Sequence, residues 1–143
     1  MLGLRLVKQT VNFDDPTSYH LYFGDERGGP GSVVTFFEWR GAPSGKPGVG
    51  GTHHFALRVP DGTVLRQWKR YLNDRGVSVN GPLDRHYFES IYLKDPDGTI
   101  IELATDGPGW AIDEAPDALG HLYREPPAET VTTNRDKARI EAD

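Results

Sequence analysis

The chain contains no cysteine among its 143 residues. That absence excludes disulfides, thiolate nucleophiles and zinc-finger ligation, and it fits a reducing cytoplasm. No apolar run is long enough to span a membrane, and the N-terminus shows no basic-then-apolar signal peptide. Basic residues are in deficit, 16 Lys and Arg against 21 Asp and Glu for a net charge of −5. With a pI near 5.5, the chain offers little to attract nucleic acid. Hydrophobic content is 36% and mean hydropathy is −0.56, with the last segment responsible for much of the polarity. The length still allows one domain with a real core. A soluble cytoplasmic protein is the expectation.

The most informative stretch runs from Ile91 to Glu102, Ile-Tyr-Leu-Lys-Asp-Pro-Asp-Gly-Thr-Ile-Ile-Glu. A tight Asp-Pro-Asp-Gly turn joins two β-rich runs. Pro96 fixes φ at the second turn position, and Gly98 can take the left-handed conformation that a three-residue hairpin loop needs. With Pro96-Asp97-Gly98 as the loop, Tyr92 falls opposite Glu102, both side chains on one face. A lone carboxylate between Ile101 and Leu103 is costly unless it is paired or bound to a metal. Upstream, the run from Gly51 to Val59 has strand character. Period-2 alternation puts His53, Phe55, Leu57 and Val59 on one face, which would pack on a helix. His54, Ala56 and Arg58 share the other face, small and polar as a cavity wall would be. One strand thus offers His54 and another Glu102, part of a two-histidine, one-carboxylate metal site.

The chain also repeats itself weakly. Leu21-Tyr22-Phe23-Gly24-Asp25 resembles Ile91-Tyr92-Leu93-Lys94-Asp95, about 70 residues later. Each is followed by a Gly-containing turn and a further strand, Gly31 to Thr35 in one copy and Gly98 to Glu102 in the other. Leu2 to Val7 likewise resembles Arg75 to Val79. The second copy carries in addition the His54 strand and a helix, capped by Asp61 or Thr63, ended by Gly76 and striped with Val64, Leu65, Trp68, Tyr71 and Leu72. It therefore reads strand-helix-strand-strand-strand. The first copy begins almost at the equivalent of Gly76, so by the repeat offset about 20 to 25 residues are missing from it. The fold class expected is α+β, built from paired βαβββ modules. Residues 1–40 form a first module without its initial strand and helix, 41–51 a Gly/Pro-rich linker, and 52–112 a complete second module. Residues 113–143 hold a short helical patch near Ala115 to Leu122, stopped by Pro126-Pro127, and a polar tail.

The duplicated unit, the His-His strand and the Tyr-x-x-Asp-Pro-x-Gly-x-x-x-Glu run together resemble the vicinal oxygen chelate superfamily. Its members include glyoxalase I, bleomycin-resistance proteins, fosfomycin-resistance enzymes and type I extradiol ring-cleaving dioxygenases. The resemblance covers Leu2 to Glu114. Within it, Asp84 to Tyr92 followed by Glu102 to Gly109 is most similar to the hydroquinone- and catechol-cleaving dioxygenases, and Leu2 to Pro16 matches their first module. The resemblance implies a cup of curved mixed sheet around a divalent metal, usually Fe(II), with Mn(II) or another divalent ion as the alternative. Its ligands would be His54, Glu102 and a second His on the first strand of module one, a segment this chain lacks. Thr35 stands at the repeat equivalent of Glu102, which disfavours a glyoxalase-type carboxylate from each module. Tyr92 resembles the substrate-hydrogen-bonding tyrosine. His86 lies near the place of an acid/base histidine, at a shorter spacing from Tyr92 than in the catechol enzymes. His20, Tyr22 and Phe37 are expected in the substrate pocket, His53 and the Trp68–Tyr71 stripe in packing, and His121 in solvent.

The expected function is an Fe(II)-dependent extradiol-type dioxygenase that cleaves catechol- or hydroquinone-like aromatics, with the small aromatic and dioxygen as partners and neither nucleic acid nor membrane. Two alternatives stand beside it. One is a non-catalytic bleomycin-resistance-type binding protein that uses Phe37, Trp39 and Tyr92 as stacking surface. The other is a glyoxalase-like isomerase, whose second carboxylate is not found. Two ligands hold a metal less well than three, so the metal site is expected to be empty or weakly filled. A missing strand exposes a sheet edge that a second copy could cover, so a homodimer is expected.

Overall fold

Runs of period-2 alternation become strands throughout the chain, and its one long stripe at helical spacing becomes the helix. The computed structural model describes residues 1–123 and 125. Its order is β1 (Arg5–Val11), β2 (Tyr19–Gly24), β3 (Val34–Phe37), β4 (His54–Val59), α1 (Gly62–Asn73), β5 (Asn80–Asp84), β6 (Glu89–Lys94) and β7 (Ile100–Thr105). Two sheets result, an antiparallel β1-β2-β3 and a mixed β4-β7-β6-β5. In the mixed sheet β4 runs parallel to β7, and the other pairs are antiparallel. The architecture is the α+β one read from the sequence, a complete βαβββ unit preceded by three strands of a second.

The repeat is visible atom by atom. Tyr22 pairs with Thr35 as Tyr92 pairs with Glu102. Asp25 Oδ1 accepts the amides of Arg27 and Gly29, and Asp95 Oδ1 accepts those of Asp97 and Thr99. Both carboxylates thereby close the turn after the middle strand at the same spacings. The corresponding strands β1 and β5 each carry a register irregularity.

Asp61 caps α1 by accepting the Val64 amide at 2.9 Å, as its place before the apolar stripe predicts. At the other end Gly76 takes φ +76°, which turns the chain so that the Val77 amide reaches the Leu72 carbonyl at 3.0 Å. The core lies between α1 and one face of the mixed sheet. Leu65, Leu72 and Ile91 are fully buried there, with Val59, Leu93, Ile101 and Leu103. Leu2, Phe55, Leu57, Val64, Trp68, Val77 and Val79 pack around them. In the first sheet, cross-strand pairs put Leu6, Val11, Tyr19, Leu21, Phe23 and Phe36 on one face. No helix covers that face among the described residues, and Leu6, Val11, Tyr19 and Phe36 stay between 37% and 44% exposed.

Two elements depart from expectation. The strand read at Arg75 to Val79 begins only at Asn80, because the Val77 amide is spent on closing the helix and its side chain on the core. The helical patch near Ala115 to Leu122 is a single 3₁₀ turn at Pro116–Ala118, preceded by another at Trp110–Ile112. The Glu114 carboxylate accepts the amides of Gly120, His121 and Leu122. These amides, Leu122 first, hold its pKa below the usual carboxylate value. Gly120 at φ +86° is incompatible with a continuing helix. The polar tail from Ala128 onward lies outside the described residues.

Candidate functional site

The hairpin between β6 and β7 creates the site. Pro96, Asp97 and Gly98 form its loop, with the Asp95 amide donating to the Thr99 carbonyl at 3.0 Å and Gly98 at φ +92°. This loop sets the register that places Tyr92 across from Glu102, as the turn chemistry predicts. Parallel pairing of β4 with β7 then sets Ala56 beside Glu102 and His54 one step along the same face. His54 Nε2 lies 2.8 Å from Glu102 Oε2.

Glu102 is only 5% exposed, so its carboxylate needs polar partners. It finds them on both oxygens. The Tyr92 hydroxyl donates to Oε1 at 2.8 Å, and the Ser90 hydroxyl donates to the same oxygen. Ser90 is completely buried and sits two residues before Tyr92 on β6, hence on the same face. Arg85, in the turn between β5 and β6, donates through Nη2 to the Tyr92 hydroxyl at 3.2 Å. At the other end, His53 Nδ1 lies 2.8 Å from His54 Nδ1. A continuous polar chain therefore runs His53–His54–Glu102–Tyr92–Arg85. His53 is exposed and turned to His54, not to the helix. The β4 ladder starts only at His54, so strand alternation does not govern the residue before it.

The pair suits a divalent ion in kind and spacing. An imidazole nitrogen and a carboxylate oxygen are donors for iron or manganese. Two ligands in adjacent positions around an ion, with bonds of about 2.1 Å, lie about 3 Å apart, close to the 2.8 Å between Nε2 and Oε2. His54 keeps a third of its side chain exposed, which leaves a path of entry. Among the described residues no group of three or more His, Cys, Asp or Glu could hold a metal, and His54 and Glu102 are the candidate donors that β4 and β7 bring together.

Sequence reasoning named His54, Glu102 and Tyr92, and the structure brings these three together. His86 stands elsewhere. It lies in the Arg85–Phe88 turn at φ +69°, with its ring edge-on to Tyr87, and it lines an open groove of about 420 Å³ with Asp61, Asp84, Phe88 and Glu89. His20, Tyr22 and Phe37 meet one another on the first sheet. The His20 ring is 4.1 Å from Tyr22 and 4.0 Å from Phe37, and Trp39 stacks on Phe37 at 5.2 Å. Two polar partners of Glu102 and Tyr92 escaped sequence reasoning, Ser90 and Arg85. Alternation from Tyr92 marks Ser90. Nothing in the local pattern marks Arg85, which reaches Tyr92 around a turn.

Comparison with known proteins places these features in a family. Residues 1–103 match the glyoxalase/bleomycin resistance protein/dioxygenase superfamily. MhqO of Bacillus subtilis (strain 168), provisionally named a ring-cleaving dioxygenase, is 44% identical over 103 residues, which are 72% of this chain and 32% of that protein. The chlorohydroquinone/hydroquinone 1,2-dioxygenase of Sphingobium indicum is 39% identical over 112 residues, 74% of this chain and 35% of that enzyme. The chain thus spans about a third of the length of these relatives. Among solved structures, one provisionally named a dioxygenase from Bacillus subtilis matches with a TM-score of 0.51 at 24% identity, over 99% of this chain and 88% of that one. Glyoxalase I of Leishmania major matches with a TM-score of 0.56 at 19% identity, over 73% of this chain and 70% of that enzyme. These two likenesses concern the fold alone.

Proposed function

The chain belongs to the glyoxalase/bleomycin resistance protein/dioxygenase superfamily, and on that premise we propose that it is a module of a metal-dependent, extradiol-type ring-cleaving dioxygenase for catechol- or hydroquinone-like aromatics. The observation that carries this reading is the convergence of His54 Nε2 and Glu102 Oε2 at 2.8 Å beside the Tyr92 hydroxyl. Relatives named for ring cleavage and for hydroquinone support the substrate class.

His54 and Glu102 would hold the ion, with Fe(II) favoured and Mn(II) the alternative. Any third protein donor lies outside the described residues. Divalent iron in such a site supplies open positions for a chelating diol and for dioxygen, and lowers the proton affinity of the diol. His53, against Nδ1 of His54, fixes the plane of that imidazole. Tyr92 gives its hydrogen to Glu102 and takes one from Arg85. One lone pair of its hydroxyl is then left to accept a substrate O–H, which orients the diol. Arg85 places a positive charge next to the oxygen where a phenolate would develop.

The test is anaerobic loading of the chain with Fe(II) or Mn(II), metal analysis, and oxygen uptake with catechol and hydroquinone. Weak but saturable binding is expected, as two protein donors allow, lost in both His54→Ala and Glu102→Gln, with oxygen consumed only when ferrous ion and diol are both present. An ion affinity untouched by both substitutions would sink the reading.

The aromatic row Trp39–Phe37–His20–Tyr22 favours a second reading, stacking of a planar ligand with no metal. Ligand binding that survives both chelation and His54→Ala would favour it.

A further inference from the structure

The two oxygens of Glu102 are not equivalent. Oε2 faces His54 Nε2. Oε1 accepts from two hydroxyls, Ser90 and Tyr92. A carboxylate oxygen has two lone-pair positions, so two hydroxyl donors fill Oε1 and leave it nothing to offer an ion. Tyr92 is only partly buried, and a substrate can draw on it. Ser90 is fully buried, on β6 one residue beyond the Ile91–Leu103 pair. Ile91 and Leu93, on the opposite face of β6, are fixed in the core. The serine hydroxyl is the permanent half of the lock.

We propose that Ser90 is a positioning residue which makes Glu102 a one-oxygen donor, and so sets the ion preference of the site. The proposal rests on the metal reading above and adds to it which ions the site refuses. Six-coordinate ions such as Mn(II) and Fe(II) accept one carboxylate oxygen readily. Ca(II) takes six to eight oxygens and often binds both oxygens of one carboxylate. With Oε1 committed, Glu102 cannot turn edge-on to an ion, and Ca(II) loses a ligand that a free carboxylate would give it. Ser90→Ala frees one lone pair of Oε1, and Tyr92→Phe frees the other.

The experiment is calorimetric titration of the intact chain with Mn(II) and, separately, with Ca(II). Wild type, Ser90→Ala, Ser90→Thr and Tyr92→Phe are compared. Loss of a hydrogen bond to a metal-ligating group costs about 10- to 100-fold in affinity. Ser90→Ala is therefore expected to weaken Mn(II) by at least about 10-fold while Ca(II) binds as well as before or better. Ser90→Thr keeps a hydroxyl and is expected to keep the wild-type ratio. Tyr92→Phe is expected to move the ratio as Ser90→Ala does, which tests the lone-pair argument whether or not the threonine fits. Equal weakening of both ions by Ser90→Ala, or no change in either, overturns the proposal. If wild type binds neither ion, the metal reading itself fails. Ser90 is then judged from crystals of the metal-free Ser90→Ala chain. A Glu102 carboxylate rotated away from His54 upholds the positioning role, and an unmoved one overturns it.

Discussion

Arg85 donates to the Tyr92 hydroxyl over 3.2 Å, and Tyr92 in turn donates to Glu102 Oε1 over 2.8 Å. The guanidinium thus acts on the carboxylate through one intervening hydroxyl, and hydrogen bonds in such a chain polarise one another. On the proposed dioxygenase reading, Arg85→Met is expected to lower kcat/KM for diol-dependent oxygen uptake by roughly 10-fold or more, the loss of one hydrogen bond to a charged group. Arg85→Lys keeps the charge without the planar fork and is expected to recover part of the loss. Steady-state oxygen consumption decides, and equal kcat/KM in all three proteins would show that Arg85 plays no part.

The core is unevenly shared between the two sheets. Leu72 is fully buried between α1 and the mixed sheet, and Leu72→Ala is expected to cost about 2–5 kcal/mol. Trp68 packs against this core while Trp39 and Trp110 stand more than half exposed. Its fluorescence should therefore report the transition. A urea midpoint unmoved by Leu72→Ala would mean that the helix does not hold the fold.

Two turns should respond to acid. The amides of Gly29 and Arg27, in that order, hold the Asp25 pKa below its ordinary value. A carboxyl whose folded pKa is depressed adds stability above its unfolded pKa, and that stability is lost as pH falls through the folded value. Protection of the Gly29 and Arg27 amides from hydrogen exchange is therefore expected to be full near neutrality and to fall away below the ordinary carboxylate range. Asp25→Asn should flatten that dependence. The Glu114 amides are expected to follow the same sign. Protection constant down to strong acid would contradict this.

The first sheet presents Leu6, Val11, Tyr19 and Phe36 to solvent on a face that no helix covers among the described residues. Exposed apolar side chains sharing one face favour association, and self-association to a dimer is the expected outcome. Light scattering across a concentration series measures it. Phe36→Ser should shift the chain toward monomer, and a wild-type chain monomeric at high concentration would refute the expectation.

How much of this could be read from the sequence depends on what governs each residue. Alternation and turn chemistry are local, so the hairpin, the Tyr92–Glu102 opposition and the two faces of β4 were all legible. The repeat made Thr35 the counterpart of Glu102, and the strand registers agree. Ser90 was legible in principle, two residues from Tyr92, but a serine in a strand carries no distinctive chemistry until its acceptor is known. Arg85 was not legible, because its reach to Tyr92 depends on the path of a turn and a long side chain. His53 went astray for a related reason, since alternation applies only inside the ladder and the ladder begins one residue later. At Val77 two local rules competed, and closure of the helix took the amide that a strand would have used.

The parallel pairing of β4 with β7 also makes the His54–Glu102 contact a report on the docking of the whole unit. His54 and Glu102 belong to the first and last strands of their unit, with α1, β5 and β6 between them. Bringing such distant residues together carries a loop-closure entropy that only docked strands offset. Either strand alone presents one residue of the pair, so the 2.8 Å contact exists only where both ends of the unit are in place.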